Sequence, residues 1–398
     1  MDLLENPIRD YVWGSRVAIA ALQGRATPTA RPEAELWMGA HASAPSFVAR
    51  GGDRQSLLTA VRADPAGELG PRVAQQFGGE FPFLLKVLAA ETPLSLQAHP
   101  TESQAQEGFS REEQLGVPID ATSRNYRDAR HKPELIVALS KFEALCGFRD
   151  PKEAADLFRT LACSTLAKSI ARLEATLDTA SLRDVFLEWT TLDPHERPPR
   201  IGDVLASCAA HASDARFGDA FAWAVRLGHA YPGDAGAVTS LLLNYVQLRP
   251  REALYLPAGN LHAYLRGVGV EVMANSDNVL RGGLTQKHVD VAELTRVLTF
   301  DHGPVRVLWP DDRAQGESRY DTPAREFELS RLVVGDAGIA RRNVRGPEIV
   351  LCTMGALEIT TDDATRLELA SGASAYIAAG DGAYIVRGHG EAFRAAVP

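Results

Sequence analysis

Along the first 149 residues, apolar positions come in short runs separated by turn residues. Phe83-Leu84-Leu85-Lys86-Val87-Leu88 and Leu135-Ile136-Val137-Ala138-Leu139 are nearly unbroken runs and predict strands buried on both faces. The texture changes at Asp150-Pro151-Lys152-Glu153, where an Asp cap, Pro at the first helical position and Glu at the third open a helix. From there to about Asn244 the period is helical. Leu157, Leu161 and Leu166 supply one apolar stripe, and Phe217, Phe221, Val225 and Leu227 another. Strand texture returns at Leu241. Segment 254–265 alternates around a Pro-Ala-Gly turn, and Gly267-Val268-Gly269-Val270-Glu271-Val272 reads as a further strand. From about residue 321 short strands run to the end, with turns at Thr361-Asp362-Asp363 and Ala379-Gly380-Asp381-Gly382.

This pattern predicts a mainly β protein with an α-helical insertion at 150–244. The β regions are 1–149 with 245–320, and 321–398. An internal echo supports two β units of similar plan. Leu248 to Asn260 resembles Leu369 to Asp381, with Tyr255 and Tyr376 standing 121 residues apart in matching frames. Two double-sheet barrels of jelly-roll type would give such an echo. At that offset His262 maps to Ala383, so any chemistry at His262 belongs to the first unit only.

Pro93-Leu94-Ser95-Leu96-Gln97-Ala98-His99-Pro100 changes the picture from architecture to chemistry. As a strand it points Leu94, Leu96 and Ala98 one way, and Ser95, Gln97 and His99 the other. Gln and His on successive positions of one face, without charge, make a poor solvent face and a good interior wall. Likewise His262 and Tyr264 share one face, against Leu261, Ala263 and Leu265 on the other.

At 398 residues the chain calls for two or three domains, and 45% hydrophobic with 23% charged residues is a globular composition. A net charge of −9 argues against nucleic acid or an anionic membrane surface as partner. A small anion needs only a local cationic pocket. The N-terminus Met1-Asp2-Leu3-Leu4-Glu5-Asn6-Pro7 carries acids and lacks the apolar core of a signal peptide, and no run of 18 apolar residues is present. Cys146, Cys163, Cys208 and Cys352 are scattered without CxxC spacing, which predicts reduced thiols in a cytoplasmic protein.

A catalytic metal site needs about three protein ligands and an open position. His99, Glu134 in His131-Lys132-Pro133-Glu134-Leu135, and His262 are the candidates, with Gln97 as a residue that supports them. Mixed nitrogen and oxygen donors suit Zn²⁺, with Fe²⁺ and Mn²⁺ still open on ligand type. Taken singly, each has an ordinary fate as a hydrogen-bonded core histidine or a polar turn. In Asn275-Ser276-Asp277-Asn278-Val279-Leu280-Arg281-Gly282-Gly283, a loop signal leads to an arginine beside two glycines, an arrangement that brings a guanidinium and backbone up to a phosphate or carboxylate.

Together these motifs resemble the type I mannose-6-phosphate isomerases (phosphomannose isomerases). The resemblance rests on Pro-Leu-Ser-Leu-Gln-Ala-His-Pro at 93–100, His-Lys-Pro-Glu-Leu at 131–135, Pro-Ala-Gly-Asn-Leu-His-Ala-Tyr-Leu at 257–265 and Asn-Ser-Asp-Asn-Val-Leu-Arg-Gly-Gly-Leu-Thr-Gln-Lys at 275–287. Tyr11-Val12-Trp13-Gly14-Ser15 and Ala34-Glu35-Leu36-Trp37-Met38-Gly39-Ala40-His41 extend it toward the N-terminus. Nearly the whole chain is covered in order. The resemblance implies a cupin-type (jelly-roll) catalytic barrel at 1–149 and 245–320, a helical insertion, and a second cupin-like barrel at 321–398 without metal ligands. It implies a zinc-dependent aldose–ketose isomerase that interconverts mannose 6-phosphate and fructose 6-phosphate. By position, Gln97, His99, Glu134 and His262 match the ligands of one Zn²⁺, and Arg281 matches the family's active-site arginine. Lys132, His131 and Asp277 join it as catalytic candidates, and Ser95, Lys86, Tyr264, Lys287 and Glu35 as lining of the sugar-phosphate pocket. The expected state is a monomer or weak oligomer.

Three departures stand out. Ala42 follows Gly-Ala-His where the family often has Pro. Gly282-Gly283 stands for the common Ala-Gly, and Pro250-Arg251-Glu252-Ala253 for Pro-Gly-Glu-Ala. They bear on loop rigidity, not on the chemistry.

Isomerisation moves a proton between C2 and C1 through an enediol-like intermediate. The dianionic phosphate needs cations, for which Lys86, Lys287 and Arg281 are candidates. For the base, His131, Lys132, Asp277 and a metal-bound water stay open. A lysine could serve only with its pKa drawn down toward neutrality. Two rival readings are a non-catalytic sugar-binding cupin and a metal-dependent cupin oxygenase. The first predicts an eroded ligand set, whereas all four positions are filled. The second leaves Gln97, Lys132 and Arg281 without a role.

Overall fold

In the strand Phe83–Ala90, Phe83, Leu85, Val87 and Ala89 join one apolar cluster while Leu88 and Ala90 join another. Both faces are therefore covered, as the unbroken apolar run predicts, and the same rule lays out the whole protein. The computed structural model describes residues 1–314 and 316–398. It is mostly β, with a ten-stranded sheet, a nine-stranded sheet and a two-stranded one beside a helical block.

The ten-stranded sheet is organised by a single strand, His262–Ala274. Sequence alternation predicts two strands here, 254–265 and 267–272. Instead the first ends at Leu256, before Pro257, and the second runs unbroken from His262 to Ala274. Its beginning pairs with Leu96–Ala98 and Phe142–Phe148, and from Gly267 onward it pairs with Phe83–Ala90 and Glu134–Ala138. At this change of partners Gly267 has φ +130°, and a Cβ there would lie 2.7 Å from the Lys141 carbonyl oxygen. Only glycine fits both constraints. One strand thus belongs to two layers.

Between these layers lie Leu88, Ile136, Ala138, Phe142, Ala144, Leu248 and Tyr264. The outer face of the first layer, with Leu96, Ala98, Leu145, Ala263 and Leu265, packs against the helical block. The outer face of the second, with Leu36, Val87, Leu135, Val137 and Val272, packs against Leu329, Ile349, Leu351 and Phe393 of the nine-stranded sheet. Among the described residues no sheet closes on itself; the layers meet through side chains and the shared strand.

The helical block opens as the sequence predicts. The Asp150 carboxylate accepts from the backbone N–H groups of Lys152 and Glu153. Glu153 does not reach back to complete the box, because Arg149 takes its carboxylate at 2.9 Å. Leu157, Leu161, Leu166, Phe217, Phe221 and Leu227 all enter the core shared with the first layer.

The nine-stranded sheet begins at Asp311–Ala314, ahead of residue 321, and takes in Asp2–Leu3, which pairs with Ser374–Ile377. Both chain ends thus share one sheet. The echo is visible in space: Ala253–Leu256, a turn and the 13-residue His262–Ala274 are matched by Ser374–Ile377, a turn and the 13-residue Tyr384–Ala396. All four cysteines are free, and among the described residues no helix is long and apolar enough to cross a membrane.

Candidate metal centre

With both outer faces covered by apolar partners, the alternating positions point polar groups into the space between the layers. Glu134 precedes the inward Ile136 and Ala138 on its strand, and Lys86 precedes the inward Leu88 and Ala90. On the shared strand His262 and Tyr264 point the same way. The space between the layers thus holds polar side chains beside its apolar cluster.

Strand register assembles the first half of the site. Gln97 is paired with His262 on one side and Arg281 on the other, and His262 is paired with Cys146. Directly paired residues share a face. The regular strand is only Leu96–Ala98, shorter than the segment read from sequence, and His99 follows at its end. Glu134 arrives from the other layer. His99 Nε2 stands 3.3 Å from Glu134 Oε1, and His262 Nε2 stands 3.5 Å from Glu134 Oε2. The three potential ligand atoms all lie within 4.8 Å of one another, and all three residues are buried.

The tautomers are set from behind. His99 Nδ1 donates to the Asn278 carbonyl at 2.7 Å and His262 Nδ1 to the Asn260 carbonyl at 3.1 Å. Each Nε2 is then a lone-pair donor facing the cluster. Both Nε2 atoms are buried without a hydrogen-bond partner. Buried polar atoms without partners are costly, and here two converge on one carboxylate. Burial, against the pull of Glu134, lowers the His99 pKa to about 4, so it is neutral at pH 7. Glu134 is held well below its ordinary range: burial would raise it, but Lys132 and His99 outweigh this, and Lys132 Nζ stands 3.1 Å from Oε1. Two imidazole Nε2 atoms and an ionised carboxylate form a donor set suited to a divalent metal, and Gln97 is paired in register beside His262.

A second buried group adjoins the first. Lys86 is paired in register with Glu271 and lies 3.2 Å from it and 3.6 Å from Glu35. Tyr264 donates its hydroxyl hydrogen to Glu271 at 2.8 Å, and Trp37 Nε1 donates to Glu35 at 2.8 Å. Burial and the hydrogen-bonded Glu271 leave the Tyr264 phenol well above its usual range. Burial also raises Glu271, against the effect of Lys86. Lys86 resists its own burial and is raised by Glu35 and Glu271. Lys86, Glu35 and Tyr264 are thus tied into one buried network with Glu271.

The other sequence candidates lie around the mouth. Ser95 is half-buried just before the Gln97 strand. Arg281 is half-buried on Leu280–Gly283 and Lys287 is exposed beyond it. Asp277 Oδ1 faces His41 Nε2 at 3.4 Å, and although burial opposes it, His41 and Lys132 hold its carboxyl below the usual range. His131 Nε2 meets Glu326 Oε1 at 2.7 Å, on the connection between strands Glu317–Tyr320 and Glu328–Val334 of the nine-stranded sheet, so it makes a contact between parts of the fold.

Three contributors escape the sequence reading as site residues. His41, buried behind Asp277, lies in a quoted motif but carries no spacing signal. Asn278 anchors the loop: its side-chain oxygen accepts from Arg127 N at 2.7 Å, and its Nδ2 donates to the carbonyls of Asp128 and Arg130 at 2.8 Å. Glu271 had a legible signal: a lone acid in one apolar strand and a lone Lys86 in another are complementary only if those strands pair.

The model of the family described as phosphomannose isomerase type I, catalytic domain, matches residues 1–151. The chain is 38% identical over 396 residues to the mannose-6-phosphate isomerase of Escherichia coli (strain K12), covering 99% of each. Among solved structures, a mutant phosphomannose isomerase from Salmonella typhimurium superposes with a TM-score of 0.92 at 35% identity, covering 100% of this chain and 99% of that one. A zinc-bound mannose 6-phosphate isomerase superposes with a TM-score of 0.91 at 35% identity, with the same coverage.

Proposed function

Since the chain belongs to the type I mannose-6-phosphate isomerase family, we propose that it interconverts D-mannose 6-phosphate and D-fructose 6-phosphate with one Zn²⁺ held by Gln97, His99, Glu134 and His262. The observation that carries this reading is the pair of buried, unpartnered Nε2 atoms converging on Glu134. When bound, the metal supplies Lewis-acid polarisation of substrate oxygen, a contribution of several kcal/mol.

The remaining chemistry belongs to side chains. Asp277, held ionised by His41 and Lys132, has the charge state of a general base for the proton moving between C1 and C2. Lys132, beside Glu134, places an ammonium where negative charge develops on the reacting oxygens. Arg281, next to Gln97 in register, is the arginine we assign to the substrate beside the metal. Ser95 and Lys287 line that mouth. The Lys86–Glu35–Glu271–Tyr264 network holds the floor of the pocket rigid. His131 stands apart from the proton transfer because Glu326 occupies its Nε2.

We read the two-layer body as a cupin-type barrel and the nine-stranded sheet as a second, cupin-like unit without ligands. The matched strand, turn and 13-residue strand support that reading, as does the second unit having Tyr384 where His262 opens its strand and Ala383 at the 121-residue offset, neither a metal-type histidine. A coupled assay with mannose 6-phosphate before chelation, after it and after zinc return tests the proposal. Activity should vanish and recover, and no turnover with zinc fully loaded would overturn it. If Arg281→Ala raised KM but left kcat intact, Arg281 would be a phosphate clamp and nothing more.

A further inference from the structure

The two ring nitrogens of His41 have unlike neighbours, and together these set its tautomer. Nδ1 stands 3.2 Å from Ser43 N and 2.9 Å from Ser43 Oγ. A backbone N–H can only donate, so Nδ1 is the acceptor, and a hydrogen placed there would meet the amide hydrogen head-on. The ring hydrogen therefore sits on Nε2, and Nε2 is the atom that stands 3.4 Å from Asp277 Oδ1.

The ring is held on its other sides too. His41 follows the strand Glu35–Met38 in a turn where Ser46 N donates to the Gly39 carbonyl at 2.8 Å and Gly39 N donates to Ser46 Oγ at 3.0 Å. It is 4% exposed and meets Trp37 edge to face, with ring centroids 4.8 Å apart. Trp37 donates to Glu35 and has the Lys86 ammonium 5.2 Å from its ring, so His41 leans on the buried network at the floor.

Asp277 is fixed at its backbone. Its N–H donates to Asp128 Oδ2 at 2.8 Å, and the carbonyl of the next residue, Asn278, accepts from His99 Nδ1 at 2.7 Å. The Asp277 side chain, however, is 47% exposed. An aspartate so open to water ordinarily moves among rotamers. Here a buried ring of set tautomer meets one of its two oxygens.

We propose that His41 is a positioning residue for the proton transfer: its Nε2–H holds Asp277 Oδ1, which leaves Oδ2 as the oxygen that takes the proton from the substrate carbon. This rests on the isomerase reading, in which Asp277 is the base, and adds the residue that aims it. His41 does not take the proton itself, because Nδ1 is occupied by Ser43 and Nε2 already carries hydrogen.

The test compares zinc-loaded wild type, His41→Leu, His41→Gln, Asp277→Asn and the double variant His41→Leu with Asp277→Asn. His41→Leu keeps a side chain against Trp37 and removes the donor, so kcat for mannose 6-phosphate should fall about tenfold or more, the size of a hydrogen bond to a charged group, with KM within about threefold. His41→Gln, whose amide N–H extends to the same oxygen, should recover most of that kcat. In the Asp277→Asn background the added His41→Leu should change kcat by less than about twofold, since no base is left to aim. Nitrogen-15 NMR of the histidine-labelled protein, with the His41 signals identified by their loss in His41→Gln, should show hydrogen on Nε2 and none on Nδ1, and the Nε2 signal should move in Asp277→Asn. If His41→Leu does not fold, His41→Asn, too short to meet Asp277, replaces it. Equal loss of kcat from His41→Leu in both backgrounds would make His41 a prop of the fold and overturn the proposal. A hydrogen on Nδ1, or an Nε2 signal indifferent to Asp277→Asn, would overturn it as well. Absence of turnover by the wild type would overturn the isomerase reading, while the NMR signals would still decide whether His41 holds Asp277.

Discussion

Replacing Lys86 by Met tests whether the floor of the pocket is held by charge. The substitution keeps most of the side-chain volume and removes the ammonium. Glu35 and Glu271 then face each other in a region where all three side chains are less than a tenth exposed. Removing one partner of a buried ion pair costs about 3–5 kcal/mol, because the remaining charge is left uncompensated. The hydrogen bonds from Trp37 and Tyr264 persist and place the expected loss toward the lower end, about 3 kcal/mol at pH 8.

The loss should also depend on pH. Glu271 has its pKa raised in the folded protein by burial, with Glu134 and Glu35 adding to the effect and Lys86 opposing it. For a carboxyl raised on folding, stability is fully present below the unfolded value and is lost as pH rises through the folded one. Without Lys86 the folded value climbs further, so protonation at pH 5.5 should recover about 1–2 kcal/mol. Urea midpoints followed by tryptophan fluorescence, with Trp37 as a local reporter, measure this. Lys86→Met with Glu271→Gln should recover at least half of the loss at pH 8. A loss below about 1 kcal/mol, or one equal at both pH values, would refute the reasoning, since it is no larger than an exposed pair contributes.

Three other outcomes follow from particular residues. Arg251 adopts φ +80°, which glycine tolerates without strain, so Arg251→Gly should raise stability by about 0.5–1 kcal/mol; a lower urea midpoint would mean that its 3.9 Å contact with Glu391 outweighs the backbone strain. His99 is shifted from 6.5 to about 4 by burial, so the zinc-free protein should keep this contribution above pH 6.5 and lose about 3 kcal/mol as pH falls toward 4, a loss that His99→Gln should not show in urea titrations. Truncation after residue 320 would uncover Leu36, Leu85, Val87, Val137 and Val272, each contributing about 1.5–3 kcal/mol by burial, and should give an insoluble remainder; a soluble, fully active product in sedimentation and turnover assays would contradict that.

Residue periods alone determined the mainly β character, the capped helical block from Asp150, and the faces of the strands carrying Gln97 and His262. These follow from alternation and capping, which are local rules. Motif order carried the candidate ligands, because His99, Glu134, His262 and Gln97 sit in segments with little reason to be polar otherwise. Tertiary structure decided what those residues meet. That Glu134 comes from one layer and His262 from the other depends on a strand that changes partners at Gly267, and no residue period encodes a partner. The same holds for Lys86, whose register pairing with Glu271 places it in a buried charge network. It holds for His131, which Glu326 claims, and for Asp2–Leu3, which joins the last sheet. Periodicity fixes a side chain's direction relative to its own backbone. Which charge it faces depends on strand pairings between residues far apart in the chain.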